Sequence, residues 1–245
     1  MSGIARVMQQ TDPRKVKVVY ENKRWPDIFD NNPRILQRRE EADHQILYGR
    51  VNGLRPYCSA KSPTRWTWKD CPPAVGEVYL LHHEINFGKL FAASLRGTVL
   101  IEPNIKKGAS PNKDWGWHRW EALVRLMSAA KITPVQVGPR GTATISGVRL
   151  IETENFRLAC GVMRQVAACV LPDGGLHHAA AALGKKTVVI FGGFISPRQT
   201  GYDSQVNLFT GGEPCGWRTP CEHCAAAMAA ITPELVFEEL RKLLV

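Results

Sequence analysis

Beyond residue 97 the apolar positions fall into two alternating periods. Residues 98–101, 134–137, 169–171 and 187–191 are short apolar runs that suit buried strands. The segments between them repeat at helical spacing: residues 120–129 carry Leu123, Leu126 and Met127, and residues 156–168 align Phe156, Cys160, Met163 and Ala167 along one face. Residues 176–183 form a third predicted helix, closed by Gly184 where a left-handed residue is commonly needed. Residues 233–244 form a last one. Strands alternating with helices over short connections predict an α/β fold, a parallel sheet with helices on both faces.

The first 96 residues pattern less clearly. Residues 1–14 are polar and expected to fray, and residues 15–20 predict a short strand closed by Asn22 and Trp25-Pro26. Asn31-Asn32-Pro33 is a turn signal. Residues 53–76 hold Pro56, Pro63, Pro72 and Pro73 together with Trp66 and Trp68, so an irregular loop is expected there, followed by a strand over residues 77–81. Two domains follow from this change of pattern: a reduced N-terminal α/β domain over 1–96 and a Rossmann-like domain over 97–245.

Composition narrows the class. Apolar residues make up 44% and charged residues 22%, which is ordinary for a folded chain and argues against disorder. No run approaches the ~20 apolar residues of a bilayer span, the longest uncharged, mainly apolar stretch being residues 187–197. No secretory signal is visible. The net charge of +10 favours anionic partners such as phosphorylated small molecules, and suits peripheral contact with acidic lipids. No nucleic-acid-binding module is recognisable. Seven cysteines, two of them (Cys160 and Cys169) in apolar surroundings, point to a reducing, cytoplasmic compartment.

The chemistry concentrates in residues 169–193, where a strand ending at Pro172 runs through Asp173-Gly174-Gly175 into an alanine-rich helix. Ligands of open parallel sheets bind at the C-terminal ends of strands. A helix N-terminus placed there offers free N–H groups and a positive dipole end to a diphosphate. The two glycines permit a tight turn and close approach of a ligand. Asp173 has two readings, a helix cap or an orienting group for a ligand. His177 and His178 are adjacent and point about 100° apart on a helix, so they are not expected to share one small site, and no metal site is expected from them.

The run P-D-G-G-L-H-H-A-A-A-A-L-G-K followed by V-V-I-F-G-G resembles glycosyltransferase family 9, which includes the heptosyltransferases of lipopolysaccharide synthesis. So do the later segments S-P-R-Q-T-G-Y, C-G-W-R-T-P-C-E-H-C and M-A-A-I-T-P-E-L-V, and the resemblance covers about residues 101–245. It implies a GT-B-like architecture in which the C-terminal domain holds a nucleotide-sugar donor and a sugar passes to a glycan or lipid-linked acceptor. Asp173, Gly174, Gly175 and His178 are then implied to contact the donor's phosphates or sugar. Asn112-Lys113-Asp114-Trp115 resembles the family's Lys-x-Trp segment, and a lysine there can neutralise a donor phosphate. Gly138, at the end of the next strand, and Thr153 resemble positions near the nucleotide base. The resemblance calls for no metal or organic cofactor.

One feature departs from that pattern. The family's acidic residue, in a glycine-containing loop after the first strand, has no counterpart, because residues 15–20 run into Glu21-Asn22-Lys23. The carboxylates Asp27, Asp30 and Glu84 read as solvated surface charges, which leaves the catalytic base unassigned and keeps open a relative that binds its donor without catalysis. Cys215, Cys221 and Cys224 with His223 offer the ligand set of a tetrahedral zinc site. His223 stands between the last two cysteines, however, where closing four ligands on one ion is awkward. A reduced structural loop is the reading preferred to zinc.

Overall fold

A computed structural model describes residues 2–19, 25–48 and 57–245. Tyr20, the Glu21-Asn22-Lys23 run and residues 53–56 of the proline-rich segment lie outside the described residues. In the N-terminal part, helix α1 (Ser2–Met8) leads to strand β1 (Lys15–Val19), which pairs in parallel with β2 (His44–Tyr48) from Lys15↔His44 to Val19↔Tyr48. Ala5, Val16, Phe29 and Ile35 form a small core beneath them. Residues 2–8 are therefore helical rather than frayed, because burying Ala5 against that core holds the turn.

The proline-rich segment also departs from expectation. Residues 58–68 form an antiparallel hairpin, β3 (Cys58–Ser62) and β4 (Arg65–Trp68), with Pro63 in its turn. Trp66 and Trp68 pack edge-on at 6.0 Å and both reach Phe194, so tertiary contact stabilises a hairpin that local propensity does not announce. Residues 77–81 form no strand. They run without a ladder partner into α2 (His82–Lys89), which is followed by α3 (Ala92–Leu95).

The second half is a six-stranded all-parallel sheet. Its elements are β5 (Val99–Ile101), α4 (Trp117–Ala129), β6 (Pro134–Gly138), β7 (Arg149–Glu152), α5 (Phe156–Met163), β8 (Ala168–Pro172), α6 (Gly175–Ala182), β9 (Thr187–Gly192), the short α7 (Pro197–Thr200), β10 (Val206–Phe209), α8 (Glu222–Ala230) and α9 (Pro233–Leu244). The spatial order is β10-β9-β8-β5-β6-β7, which is the 3-2-1-4-5-6 order of the Rossmann fold read from the other edge. Alternation along the strands divides the core. Val99, Ile101, Val170, Val188 and Ile190 face α4 and α9, whereas Leu100, Val135, Val137, Cys169 and Leu171 face α2, α5 and α6. Helices thus cover both faces, as the pattern predicts. Helix α5 ends at Met163, short of residue 168, because Ala168 is buried as the first residue of β8 and pairs with Val99.

Helices α2 and α5 touch backbone to backbone. A Cβ on Gly88 would lie 2.1 Å from Gly161 O, so neither glycine tolerates a side chain. A buried ion pair seals this contact. Arg157 Nε and Nη2 donate to the two oxygens of Glu84 at 2.5 and 2.8 Å, and the same guanidinium reaches Asp27 O and Tyr79 O. Glu84 also accepts from Leu81 N–H at the start of α2. Glu84 is therefore no solvated surface charge. Among the described residues no helix is long and apolar enough to cross a membrane.

Candidate functional site

The sheet order places a switch point between β5 and β8, since the chain leaves β5 toward β6 and leaves β8 toward β9. A crevice forms outside the strand ends at such a point. Two predicted segments flank it: the 3-10 turn Pro111–Lys113 after β5, and Asp173-Gly174-Gly175 after β8. Lys113 Nζ forms an ion pair with Asp173 Oδ2 across the gap. Asp173 is buried, and its other oxygen accepts from Thr200 Oγ1 at 3.1 Å. Burial alone would raise its pKa, but the groups facing it, the Lys113 ammonium foremost and then His177 and His178, more than offset this and hold the carboxyl well below the usual range.

Asp173 does not cap α6. Gly174 is the cap residue, and its N–H donates to His177 Nδ1 at 2.9 Å. His177 Nε2 in turn donates to Thr200 O at 2.9 Å. With Nδ1 accepting and Nε2 donating, this fully buried ring is neutral, and burial depresses its pKa. His178 shares a 2.8 Å hydrogen bond with the Tyr202 hydroxyl, whose pKa burial, then Tyr57 and Asp173, pushes up to about 12. The two imidazoles lie only 3.9 Å apart between centroids, so they do share one site, against the expectation from their helical phase. Side chains in a helix lean toward its N-terminus, and at the first turn both rings converge on the residues before it. Asp173, His177 and His178 would suit a metal by proximity, but both nitrogens of His177 are already engaged within the protein.

The corner is open at Gly174, while the Phe156 ring lies beside Gly175. Gly174 is half-buried and Gly175 exposed. Gly174 has φ −175°, an extended conformation open to any residue, so no tight turn demands glycine there. A Cβ on Gly174 would meet only Pro172 O at 3.8 Å. The missing side chain leaves room beside the first turn of α6, whose leading amides have no intrahelical acceptor. Gly138 and Thr153 sit farther along the same rim, at the ends of β6 and β7, joined by Thr153 N to Gly138 O at 2.8 Å. The Thr142 side chain occupies the space that Gly138 frees. Thr153 Oγ1 is buried without a hydrogen-bond partner.

A family model described as glycosyltransferase family 9 (heptosyltransferase) matches residues 77–228. The chain belongs to glycosyltransferase family 9. Solved structures share the fold of this family 9 protein. Escherichia coli ADP-heptose LPS heptosyltransferase II aligns with TM-score 0.53 and 22% identity over 70% of this chain and 54% of that one. The glycosyl transferase family 9 structure from Veillonella parvula aligns with TM-score 0.52 and 13% identity, again over 70% and 54%. The chain therefore spans just over half the length of these two structures. Curated protein sequences give no significant match.

Several residues around this corner escape a reading by motif. Thr200 and Tyr202 belong to the S-P-R-Q-T-G-Y segment, which packs behind Asp173 and the two histidines and holds them by Thr200 Oγ1, Thr200 O and Tyr202 OH. Hydroxyls following a buried strand at the same sheet end were the available signal. Glu102 directly follows β5 at the switch point, where burial raises its pKa to about 7 despite the Asn104 N–H donated at 2.8 Å.

Glu102 and His177 give opposite pH dependence. The buried imidazole refuses a proton that the unfolded chain accepts, so its contribution to stability is lost as pH falls below about 6.5. Glu102 holds a proton that the unfolded chain releases, so between about 4.5 and 7 its contribution grows as pH falls. Urea midpoints across pH 5–7.5 are expected to fall more steeply on acidification in Glu102→Gln than in the natural chain. An unchanged profile in that variant would contradict this account.

Proposed function

We propose that this protein transfers a sugar from a nucleotide-diphosphate sugar, of the ADP-heptose kind, to a glycan or lipid-linked acceptor. The observation that carries the reading is Lys113, held by buried Asp173 beside an open, glycine-lined helix N-terminus at the switch point of a Rossmann sheet. The leaving diphosphate needs charge stabilisation, which one ammonium and the first amides of α6 can supply together. Asp173, with both carboxylate oxygens engaged inside the protein, acts on the donor by positioning Lys113 rather than by direct contact. His178, in the first turn of α6, is the side chain this reading assigns to the donor's sugar. Strands lie about 4.8 Å apart, so the end of β7 is roughly 15 Å from β8, a span suited to a nucleoside whose base reaches Thr153, whereas the Thr142 side chain fills the space beside Gly138.

In this reading residues 97–245 hold the donor and residues 1–96 face the acceptor, in the cytoplasm, with the basic surface favouring a lipid-borne substrate. Calorimetry with a panel of nucleotide-sugars tests it, and silence across the panel would overturn it. Gly174→Ala sharpens the test. Its Cβ meets nothing within the fold closer than 3.8 Å, so melting is expected to stay unchanged while donor affinity drops about tenfold. Unchanged affinity would remove the amide corner from the site. The absence of the family's acidic loop after residues 15–20 favours a second reading, donor binding without transfer. Release of nucleoside diphosphate in the presence of an acceptor extract separates the two.

A further inference from the structure

We propose that Cys215, Cys221, His223 and Cys224 bind one zinc ion in a tetrahedral site of three thiolates and one imidazole. Their ligand atoms all lie within 4.8 Å of one another. Cys215 Sγ is 3.7 Å from Cys221 Sγ and 3.1 Å from Cys224 Sγ, and Cys224 Sγ is 3.8 Å from His223 Nδ1. Zinc bonds of about 2.3 Å to sulfur and about 2.0 Å to nitrogen set tetrahedral edges of roughly 3.8 and 3.6 Å. Two of the three separations fit, and the shortest need open by only about 0.7 Å to match.

The imidazole is oriented for this role. His223 Nε2 donates to Gly211 O at 2.6 Å, which fixes the tautomer and leaves the Nδ1 lone pair toward the sulfurs. That His223 and Cys224 are consecutive does not prevent closure. Cys221 is the cap of α8 and His223 and Cys224 lie in its first turn, so all three converge on Cys215 from one helix end. Trp217 N–H donates to Cys215 Sγ at 3.4 Å. Phe194, Ile195, Trp66 and Trp68 line the apolar side of the cluster.

Charge is balanced nearby. On binding, each thiol gives its proton to solvent, and three thiolates with Zn²⁺ and neutral imidazole leave a net charge of −1. Arg65, whose Nε donates to Cys215 O at 3.2 Å, lies beside this anion. The loop so pinned holds the 3-10 turn of Lys113. Asn112 Nδ2 donates to Trp217 O and Thr219 O at 2.8 Å, and Cys221 N–H donates back to Asn112 Oδ1. The ion would thereby steady the lysine, a consequence that rests on the donor-site reading; the metal site itself does not.

Elemental analysis of the full chain, purified under reducing conditions without chelator, tests the proposal without any donor. One zinc per chain is expected, lost in the Cys221→Ser/Cys224→Ser double variant, with melting lowered by a strong chelator. Should that variant fail to fold, Co²⁺ exchanged into the natural protein is expected to show the intense visible absorption of tetrahedral cobalt thiolate. Protein that purifies metal-free and takes up neither Zn²⁺ nor Co²⁺ would overturn the site. So would stoichiometric iron, or a Cys215–Cys224 disulfide in protein made without added reductant.

Discussion

Glu84→Ala is expected to lower the unfolding free energy by about 3–5 kcal/mol, read as a shift of the urea midpoint at constant slope. The change leaves the Arg157 guanidinium buried with two of its acceptors gone, in the contact where α2 and α5 meet at Gly88 and Gly161. Glu84 also accepts from Leu81 N–H, so the start of α2 loses a cap as well. Glu84→Gln, which keeps an acceptor for each role, is expected to cost less. Replacing both partners with apolar residues, Glu84→Leu with Arg157→Met, should recover most of the loss, because the cost arises from an unpaired buried charge rather than from the absence of a bond. A loss below about 1 kcal/mol for Glu84→Ala would put this pair in the class of exposed salt bridges and contradict its burial.

Lys113→Ala is expected to weaken nucleotide-sugar binding by about 10- to 100-fold, the range for losing a hydrogen-bonded charge on a phosphate. Removing the lysine also strands Asp173, which loses its ammonium partner and keeps the Thr200 hydroxyl on its other carboxylate oxygen. The paired carboxylate stabilises the fold above about pH 4 and loses that contribution as pH falls further, since its folded pKa lies below the unfolded value. In Lys113→Ala the pKa of Asp173 rises and this acid limb shrinks. Adding Asp173→Asn removes the stranded charge, so the Lys113→Ala/Asp173→Asn protein should regain stability without regaining affinity. Titration calorimetry well below the melting temperature separates the effects. Native affinity in a folded Lys113→Ala protein would remove the lysine from the donor site.

Periodicity locates the strands of the second half to within a residue or two, because each is buried on both faces and cannot carry charge inside the sheet. Strands β7 and β10 and helix α8 escaped it. Arg149 and Glu152 are exposed on an edge strand, Val206–Phe209 is only half-buried on the opposite edge, and α8 is rich in alanine without a marked apolar face. Propensity also misses α1 and the hairpin of β3 and β4, whose stability comes from Ala5 in a small core and from tryptophans on Phe194.

The sequence by itself determined the α/β class, the helix that begins at the glycine pair, and the family, because burial period and local backbone chemistry are properties of neighbouring residues. Only the tertiary structure decided that Lys113 meets Asp173 from 60 residues away, that Glu84 is buried, and that four metal-ligand side chains converge. Those outcomes depend on which strands lie side by side and on which way a helix end points, and strand order is set by packing over distances that no local pattern encodes.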